Sequence, residues 1–466
     1  MERMTVKDLV KACGGTLLYG REEKEVTRIT INSRDVKEGD LFVPLIGERV
    51  DAHKFLIQAL KDGAQAALTS KEISSFPFLE SGEKALIQVR NTKKALQDIG
   101  KFYRNRLSLP LIGITGSVGK TTTREMIAAA LSAERIVYQT KENHNSQVGV
   151  PITLTEISEH DQIGVIELGM SEPGELTMIA QIAQVDMAVI TNIGVAHIEQ
   201  LGSKENICME KLTIQDGLKT GGTLFLNGED EYLRDKKAKE GCKTIYYGFG
   251  QHCQYRAVDI STQNGYSSFT AVCGDKRVCV KLKVPGKHQV LNAIVALGVA
   301  DQMGVSVEAA ARKLEEFTGV KGRMQIFDLE TIKLIDDTYN ASPVSMRGAL
   351  DTLDSIKSAS RRIAVLADMK ELGPQAVTFH QQIGEYLGGK QVEILVTYGE
   401  LAKEIGIAAV NTNSKLKVTS FSEGSEKEAM EQWLEKELKP GDCILLKGSN
   451  SMKLGEVAAY VRQHHH

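Results

Sequence analysis

The stretch that decides the fold is Gly113-Ile-Thr-Gly116-Ser-Val-Gly119-Lys120-Thr121-Thr122-Thr123, which continues the apolar run Leu109-Pro-Leu-Ile-Gly-Ile-Thr115 and opens a helical pattern carrying Met126, Ile127, Ala130 and Leu131. A glycine loop between a strand and a helix lets backbone N–H groups and the helix N-terminus hold phosphates. Lys120 then reaches the β and γ phosphates and a hydroxyl such as Thr121 binds Mg²⁺, so ATP is the natural ligand. The loop is a variant of the usual GxxxxGK[ST] pattern, which needs glycine where Ile114 stands. The bland alternative is an ordinary glycine-rich strand-to-helix turn.

Outward from the loop, QIGVIEL, DMAVITNI and GTLFLN follow as apolar runs separated by helical or loop sequence. That rhythm predicts a doubly wound, largely parallel sheet. Around 254–284 the pattern becomes strand-like (YRAVDI, SSFTAV, RVCVKLKV), which predicts antiparallel hairpins appended to the sheet. Helices are expected at about 288–303 and 306–317, then a glycine-rich junction, TGVKGRMQ. A further α/β series contains TIKLIDD, RRIAVLAD, VEILVTY, LKVTSF and DCILLKG. Before the loop, 1–88 reads as a small α/β unit with strands at Leu41 to Val43 and Leu86 to Val89 and a helix over Phe55 to Leu60. The expected organisation is three α/β domains, 1–88, 89–318 and 319–466.

Composition agrees. A chain of 466 residues is about three times the ~150 residues of a typical domain. A 42% hydrophobic and 25% charged content, with 42 Gly and 9 Pro, excludes disorder, collagen and coiled coil. The net charge of -3 recommends neither nucleic acid nor an anionic membrane as a partner. No apolar run is long enough for a membrane span and the start lacks a signal-peptide core, so a cytoplasmic protein is expected. Seven scattered Cys without a CxxC pair fit reduced thiols rather than disulfides or a zinc site. His464, His465 and His466 read as a tag remnant and are set aside.

In an open α/β sheet ligands gather beyond the carboxyl ends of the strands, so polar residues directly after apolar runs carry weight. Glu167 ends GVIE, His197 follows AVITNIGVA, and Lys211 lies one helical segment further on. A carboxylate and an imidazole on the edge that bears a phosphate loop suit metal ions that accompany nucleotide phosphates. Taken singly, Glu167 is equally a helix cap, His197 a loop residue, and Lys211 a solvated helix lysine. In the third unit Asp336 and Asp337 follow TIKLI, Asp368 follows IAVLA and Lys447 follows CILL. Two such edges facing each other make an interdomain cleft able to close on two substrates.

Ordered blocks now accumulate along nearly the whole chain: NSRDVKEGDLFVPLIGERVDAHKF, TGSVGKTTT, NHNSQVGVP, IELGM, TNIGVAHIEQLGS, GKHQVLNA, GRMQ, DDTYNASPVSM, LADMKELG and LLKGSN. In that order they resemble the Mur ligase family. ELGM, DDTYNASP and DMKELG are similar to its branch that joins D-alanyl-D-alanine to UDP-MurNAc-tripeptide (UDP-N-acetylmuramoyl-tripeptide). The resemblance implies a uridine-nucleotide-binding domain, a central ATPase domain and a Rossmann-like third domain. It implies an enzyme that phosphorylates the acceptor carboxylate with ATP and lets the amine displace phosphate, with no serine or cysteine nucleophile. The attacking amine must shed a proton, for which His197 and a carboxylate are the candidates, and the sequence does not identify the base. By position it implies that Gly116, Ser117, Gly119, Lys120, Thr121 and Thr122 hold ATP phosphates, with Asn292 near the base, Arg323 near the phosphates and Asp337 near the ribose. Thr121 and Glu167 would hold one Mg²⁺, and His197 and a carbamylated Lys211 would serve a second ion; Lys120, Glu167, His197 and Lys211 form the catalytic set.

For the acceptor, Ser33, Arg34 and the Gly47-Glu48-Arg49 turn resemble the uridine-nucleotide pocket, where an arginine fork suits diphosphate. Asn143, Asn145 and Ser146 would face the muramoyl-peptide, and Tyr339, Asn340 and Ser342 the dipeptide. A monomer is expected. The chain departs from the family pattern at Asn32, Ala52, Ser146, Ser342, Ala367 and Asn450, all outside the phosphate loop. The rival readings are a sibling amide ligase with other substrates, a catalytically silent Mur-like protein, and a P-loop motor or GTPase. DDTYNASP argues against the first, the intact catalytic set against the second, and the lack of an NKxD-type motif against the third.

Overall fold

The computed structural model describes residues 2–72 and 77–465; Met1, residues 73–76 and His466, the last of the three expected tag histidines, lie outside them. Three α/β domains follow one another. In the first, a five-stranded sheet has the order Thr16–Tyr19, Ala85–Gln88, Ala66–Thr69, Asp40–Phe42, Arg28–Thr30. Only its first strand runs antiparallel. The expected strands at Leu41 and Leu86 are two of its three interior members; the third, the short buried Ala66–Thr69, and the edge strands Thr16–Tyr19 and Arg28–Thr30 were not expected. The expected helix at Phe55 is preceded by a tight turn of helix over Ala52–Phe55.

The central sheet has nine strands. From one edge they are Lys276–Pro285, Tyr266–Cys273, Tyr255–Gln263, Lys243–Gly248, Thr223–Asn227, Met187–Ile190, Leu111–Thr115, Ile163–Glu167 and Val137–Gln139. All pairs are parallel except the two that form the appended hairpins at the Lys276 edge. Leu111–Thr115, Ile163–Glu167 and Met187–Ile190 are buried along their whole length, which is why they read as unbroken apolar runs rather than alternating ones. One face packs on the helices Lys120–Leu131, His288–Gln302 and Val307–Glu316, the other on Gly149–Glu156, Glu175–Ala183 and Lys204–Leu212.

The third domain is a six-stranded sheet, Gln325–Asp328, Lys333–Asp337, Cys443–Lys447, Arg362–Ala367, Ile394–Tyr398, Lys417–Phe421, parallel but for the first strand. That first strand starts on Gln325, the last residue of the expected glycine-rich junction, and runs beyond it. It is a half-exposed edge strand that exists only as a hairpin partner of Lys333–Asp337. The last helix, Leu454–His464, runs into the first of the histidines set aside as a tag, whose ring stacks on Tyr460 at 4.0 Å. No helix of the described residues is long and apolar enough to cross a membrane.

Candidate active site

The phosphate loop leaves Leu111–Thr115, third from the Val137–Gln139 edge of the nine-stranded sheet and flanked by Ile163–Glu167 and Met187–Ile190, where the polar ends of all three strands meet. Gly116 (φ +150°) and Gly119 (φ +87°) shape it, and a Cβ on Gly116 would lie 1.8 Å from Thr191 Oγ1. The segment after Met187–Ile190 braces the loop. Thr191 Oγ1 donates to Val118 O at 2.6 Å, Asn192 Oδ1 accepts from Val118 N at 3.0 Å, and Gly194 N donates to Ser117 Oγ at 2.8 Å. Lys120 Nζ donates to Gly116 O at 2.8 Å. Burial pushes its pKa down, Glu167 opposes that shift, and Arg323 adds to it.

Beside the loop, Glu167 is buried and its two oxygens are separately engaged. Oε2 accepts from Thr121 Oγ1 at 3.0 Å and Oε1 from Asn145 Nδ2 at 2.9 Å. Arg124, buried behind it, adds an ion pair at 3.6 Å. Asn292 stands over the same helix: its Oδ1 accepts from Thr123 Oγ1 at 3.0 Å and its Nδ2 donates to Gln289 Oε1 at 2.8 Å. Lys211 is 1% exposed, not the solvated lysine its isolated sequence position suggests, and its side-chain amine makes no hydrogen bond or ion pair among the described residues. Burial, reinforced by the positive charge of Lys120, holds its pKa well below the usual lysine range. A buried, unpartnered amine is costly as an ammonium and therefore inclines to the neutral, nucleophilic form.

A cleft of about 780 Å³ joins this edge to the third domain. Its central-domain wall includes Ser117, Gly119, Lys120, Thr121, Thr122, Asn143, Asn145, Ser146, Glu167, His197 and Asn292, and its third-domain wall includes Arg323, Asp337, Tyr339, Asn340 and Ser342. Gly116 and Lys211 do not line it. Ser33, Arg34, Gly47 and Arg49 belong to the first domain and do not line the cleft; Gly47 N donates to Val50 O at 3.0 Å in an exposed turn.

On the third-domain wall, Asp337 pairs with the buried Lys447 at 2.6 Å and accepts from Met324 N at 3.1 Å. Asp336 turns back to Thr338 (2.7 Å), and Asp368 to Ala402 N (2.8 Å) and Lys370 (2.9 Å). Lys447 also donates to Asn340 O at 2.8 Å, and the Arg323 guanidinium lies 4.0 Å above the Tyr339 ring. Ser342 caps the helix Pro343–Ser355, accepting from Ser345 N, and Ser146 Oγ accepts from Gly149 N at 3.3 Å. These two expected substrate hydroxyls are thus engaged in local structure.

Among the described residues no group of three or more His, Cys, Asp or Glu side chains converges on a metal position. Thr121 and Glu167 are brought together, whereas His197 turns to the third domain. Its Nδ1 lies 3.2 Å from Glu371 Oε2, and both residues adopt left-handed backbone (φ +63° each), which costs a non-glycine residue about 1–2 kcal/mol. His197 holds the Glu371 carboxyl below its usual range. Glu371, Arg124, Thr191 and Asn192 are site residues that the residue-by-residue reading passed over. Glu371, Thr191 and Asn192 stood inside the quoted blocks; no local pattern marks Glu371, which meets His197 only across a domain boundary, or Thr191 and Asn192, which meet Val118 far away along the chain.

The fold and the cleft define a three-domain α/β protein whose phosphate loop faces an interdomain cleft, and the comparisons name its family: the chain belongs to the Mur ligase family. Residues 25–104 match the model described as Mur ligase family, catalytic domain, 114–300 the Mur ligase middle domain, and 322–450 the Mur ligase, glutamate ligase domain. The UDP-N-acetylmuramoyl-tripeptide--D-alanyl-D-alanine ligase of Bacillus subtilis (strain 168) is 35% identical over 459 residues, covering 98% of each chain. That of Synechocystis sp. is 33% identical over 458 residues, 97% of this chain and 96% of its own. Among solved structures, MurF from Acinetobacter baumannii is similar with TM-score 0.90, 29% identity and 99% of each chain covered. MurF ligase from Thermotoga maritima in complex with ADP has TM-score 0.82 and 26% identity over 94% of this chain and 98% of its own.

Proposed function

We propose that this protein is an ATP-dependent amide ligase that joins D-alanyl-D-alanine to UDP-N-acetylmuramoyl-tripeptide, completing the pentapeptide precursor of peptidoglycan. The single observation that carries the reading is the end-to-end match to ligases of that activity, at 35% identity over 98% of both chains. The cleft supplies the chemical grounds. A carboxylate neither accepts an amine nor expels oxide, so it is phosphorylated first. Its oxygen takes the γ-phosphoryl group of ATP, ADP leaves, the amine attacks the acyl carbon, and phosphate departs with that oxygen. Such phosphoryl transfer is chiefly positioning and charge stabilisation.

Lys120 and the N–H groups of Gly116–Thr122 bind the phosphates, Arg323 supplements their charge, Asn292 lies toward the base and Asp337 toward the ribose. Thr121 and Glu167 fit Mg²⁺: a hydroxyl and a carboxylate 3.0 Å apart at a helix N-terminus are hard oxygen donors that leave room for phosphate oxygens. Magnesium bound there supplies charge neutralisation for the transferred phosphoryl group. Lys211 fits carbamylation, because a buried unpartnered amine adds CO₂ with loss of a proton and becomes an anionic oxygen donor; it and His197 would hold a second ion. The division of labour follows the domains: 1–88 for the uridine nucleotide, with Ser33, Arg34, Gly47 and Arg49; 89–318 for ATP; 319–466 for the dipeptide, with Tyr339, Asn340 and Ser342. Asn143, Asn145 and Ser146 face the muramoyl-peptide. The enzyme works as a monomer in the cytoplasm, where ATP and the UDP-linked acceptor are found.

The test is product mass with ATP, Mg²⁺ and UDP-MurNAc-tripeptide, with and without D-alanyl-D-alanine. A UDP-MurNAc-pentapeptide mass that requires all components and is lost in Lys120→Ala is expected. Turnover of ATP without that mass points instead to a sibling ligase with another substrate pair.

A further inference from the structure

We propose that Glu371 is a positioning residue through which the docked third domain orients His197 at the edge of the nucleotide site. The proposal rests on the ligase reading above and adds to it a residue on the opposite side of the cleft. The loop that presents Glu371 is fixed at both ends. His380, fully buried, accepts from Met369 N at Nε2 (2.9 Å) and lies 2.6 Å from Ala376 O at Nδ1, tying the two ends of the loop through one imidazole. Lys370 N donates to Ser449 Oγ at 2.9 Å.

Across the boundary the central domain meets this loop closely. Val195, two residues before His197, is buried in the third domain's apolar cluster together with Leu372. Gly373 faces Glu199 so tightly that a Cβ there would lie 3.2 Å from the Glu199 Cβ. Apolar packing and a glycine contact thus flank the Glu371–His197 pair and set its register.

The pair itself is poorly explained by stability. The Glu371 side chain is 60% exposed, and ion pairs of that exposure contribute little, while both partners adopt an unfavourable backbone conformation. What the arrangement does accomplish is orientation. With Nδ1 3.2 Å from the carboxylate, a neutral imidazole that carries its proton on that nitrogen leaves the Nε2 lone pair free. Nε2 makes no hydrogen bond among the described residues, and His197 lines the cleft. Undocking of the third domain removes the carboxylate and releases the ring, so the site is complete only when that domain is in place.

Full-length Glu371→Ala and Glu371→Gln are compared with wild type by steady-state ligation, thermal melting and ¹⁵N-histidine NMR of the ligand-free protein, the His197 signals being assigned with His197→Gln. In Glu371→Ala the His197 ring nitrogens shift toward a mixed tautomer, kcat falls ~10- to 100-fold, the range for losing a partner that orients a ligand, and KM for ATP stays within about twofold. Glu371→Gln, which keeps an acceptor for Nδ1–H, recovers part of both effects. Unchanged His197 signals or wild-type kcat in Glu371→Ala overturns the proposal, as does equal loss in both variants in step with a lowered melting temperature. If wild type forms no pentapeptide product the ligase reading falls, while the NMR arm still decides the contact.

Discussion

Adding one methyl group to the phosphate loop tests how the site is built. In Gly116→Ala the new Cβ would lie 1.8 Å from Thr191 Oγ1, 3.0 Å from its Cβ and 3.1 Å from its backbone N. Thr191 cannot swing aside cheaply: it is 4% exposed, its hydroxyl holds Val118 O at 2.6 Å, and its own carbonyl accepts from Asn227 Nδ2 at 2.9 Å. The loop must therefore retreat by roughly 1 Å, a displacement that typically costs about 10²-fold in rate when it misplaces reacting groups, or ~2.7 kcal/mol of transition-state stabilisation. Alanine at φ +150° adds backbone strain to the same residue. The assay is kcat/KM for ATP-dependent ligation, with melting temperature as the control for gross misfolding. Thr191→Ala in the Gly116→Ala background removes the worst contact but keeps the Cβ at 3.0 Å, so a partial recovery is expected. Wild-type kcat/KM in Gly116→Ala, or no recovery in the double variant of a still-folded protein, refutes the reasoning.

Three further predictions concern the frame. Arg104, 2% exposed, donates to Ala183 O (2.8 Å), Gln184 O (2.9 Å) and Leu107 O (3.0 Å) and so ties the helix Thr92–Arg104 to the end of the helix Glu175–Ala183. Arg104→Ala leaves those carbonyls without their donor and should cost about 3 kcal/mol in denaturant unfolding; a loss near zero contradicts the anchoring role. Burial puts the His380 pKa below the usual 6.5, so as pH falls through 6.5 the unfolded chain takes up the proton first, and stability drops by up to about 1.4 kcal/mol per pH unit until the folded-state value is reached. That slope should shrink in His380→Gln, and parallel stability curves for the two proteins would count against it. Burial pushes Cys273 and Cys443 up to about 12 and Cys253 up to about 11, while Cys279 is exposed, so alkylation at neutral pH mapped by mass spectrometry should label Cys279 first. Labelling of Cys443 at a comparable rate contradicts that order.

The parts of the fold legible in the sequence are those whose burial is continuous. LIGIT, GVIE and MAVI announce themselves because parallel strands covered on both faces need no polar positions, and the phosphate loop because glycine, lysine and threonine at fixed spacing have one common use. The strands Arg28–Thr30 and Gln325–Asp328 were not legible: at three and four residues, each at the edge of its sheet, they are defined by neighbours rather than by their own pattern. The site divides the same way. Glu167 and Asp337 are visible as polar ends of apolar strands. Lys211 looks solvated until its helix is packed, since a nine-residue segment cannot show which face turns inward. Glu371 and His197 meet only after two domains dock, and no local spacing encodes that distance.

An acyl phosphate that links ATP to amide formation must hand one carboxylate oxygen to the released phosphate, and oxygen tracing reads that transfer. UDP-MurNAc-tripeptide labelled with ¹⁸O in both oxygens of the carboxylate to be joined is incubated with ATP, Mg²⁺, D-alanyl-D-alanine and the enzyme, and phosphate and product are weighed by mass spectrometry. One ¹⁸O should appear in the released phosphate and one should remain in the new amide for each turnover. Phosphate free of label while the amide forms contradicts the account.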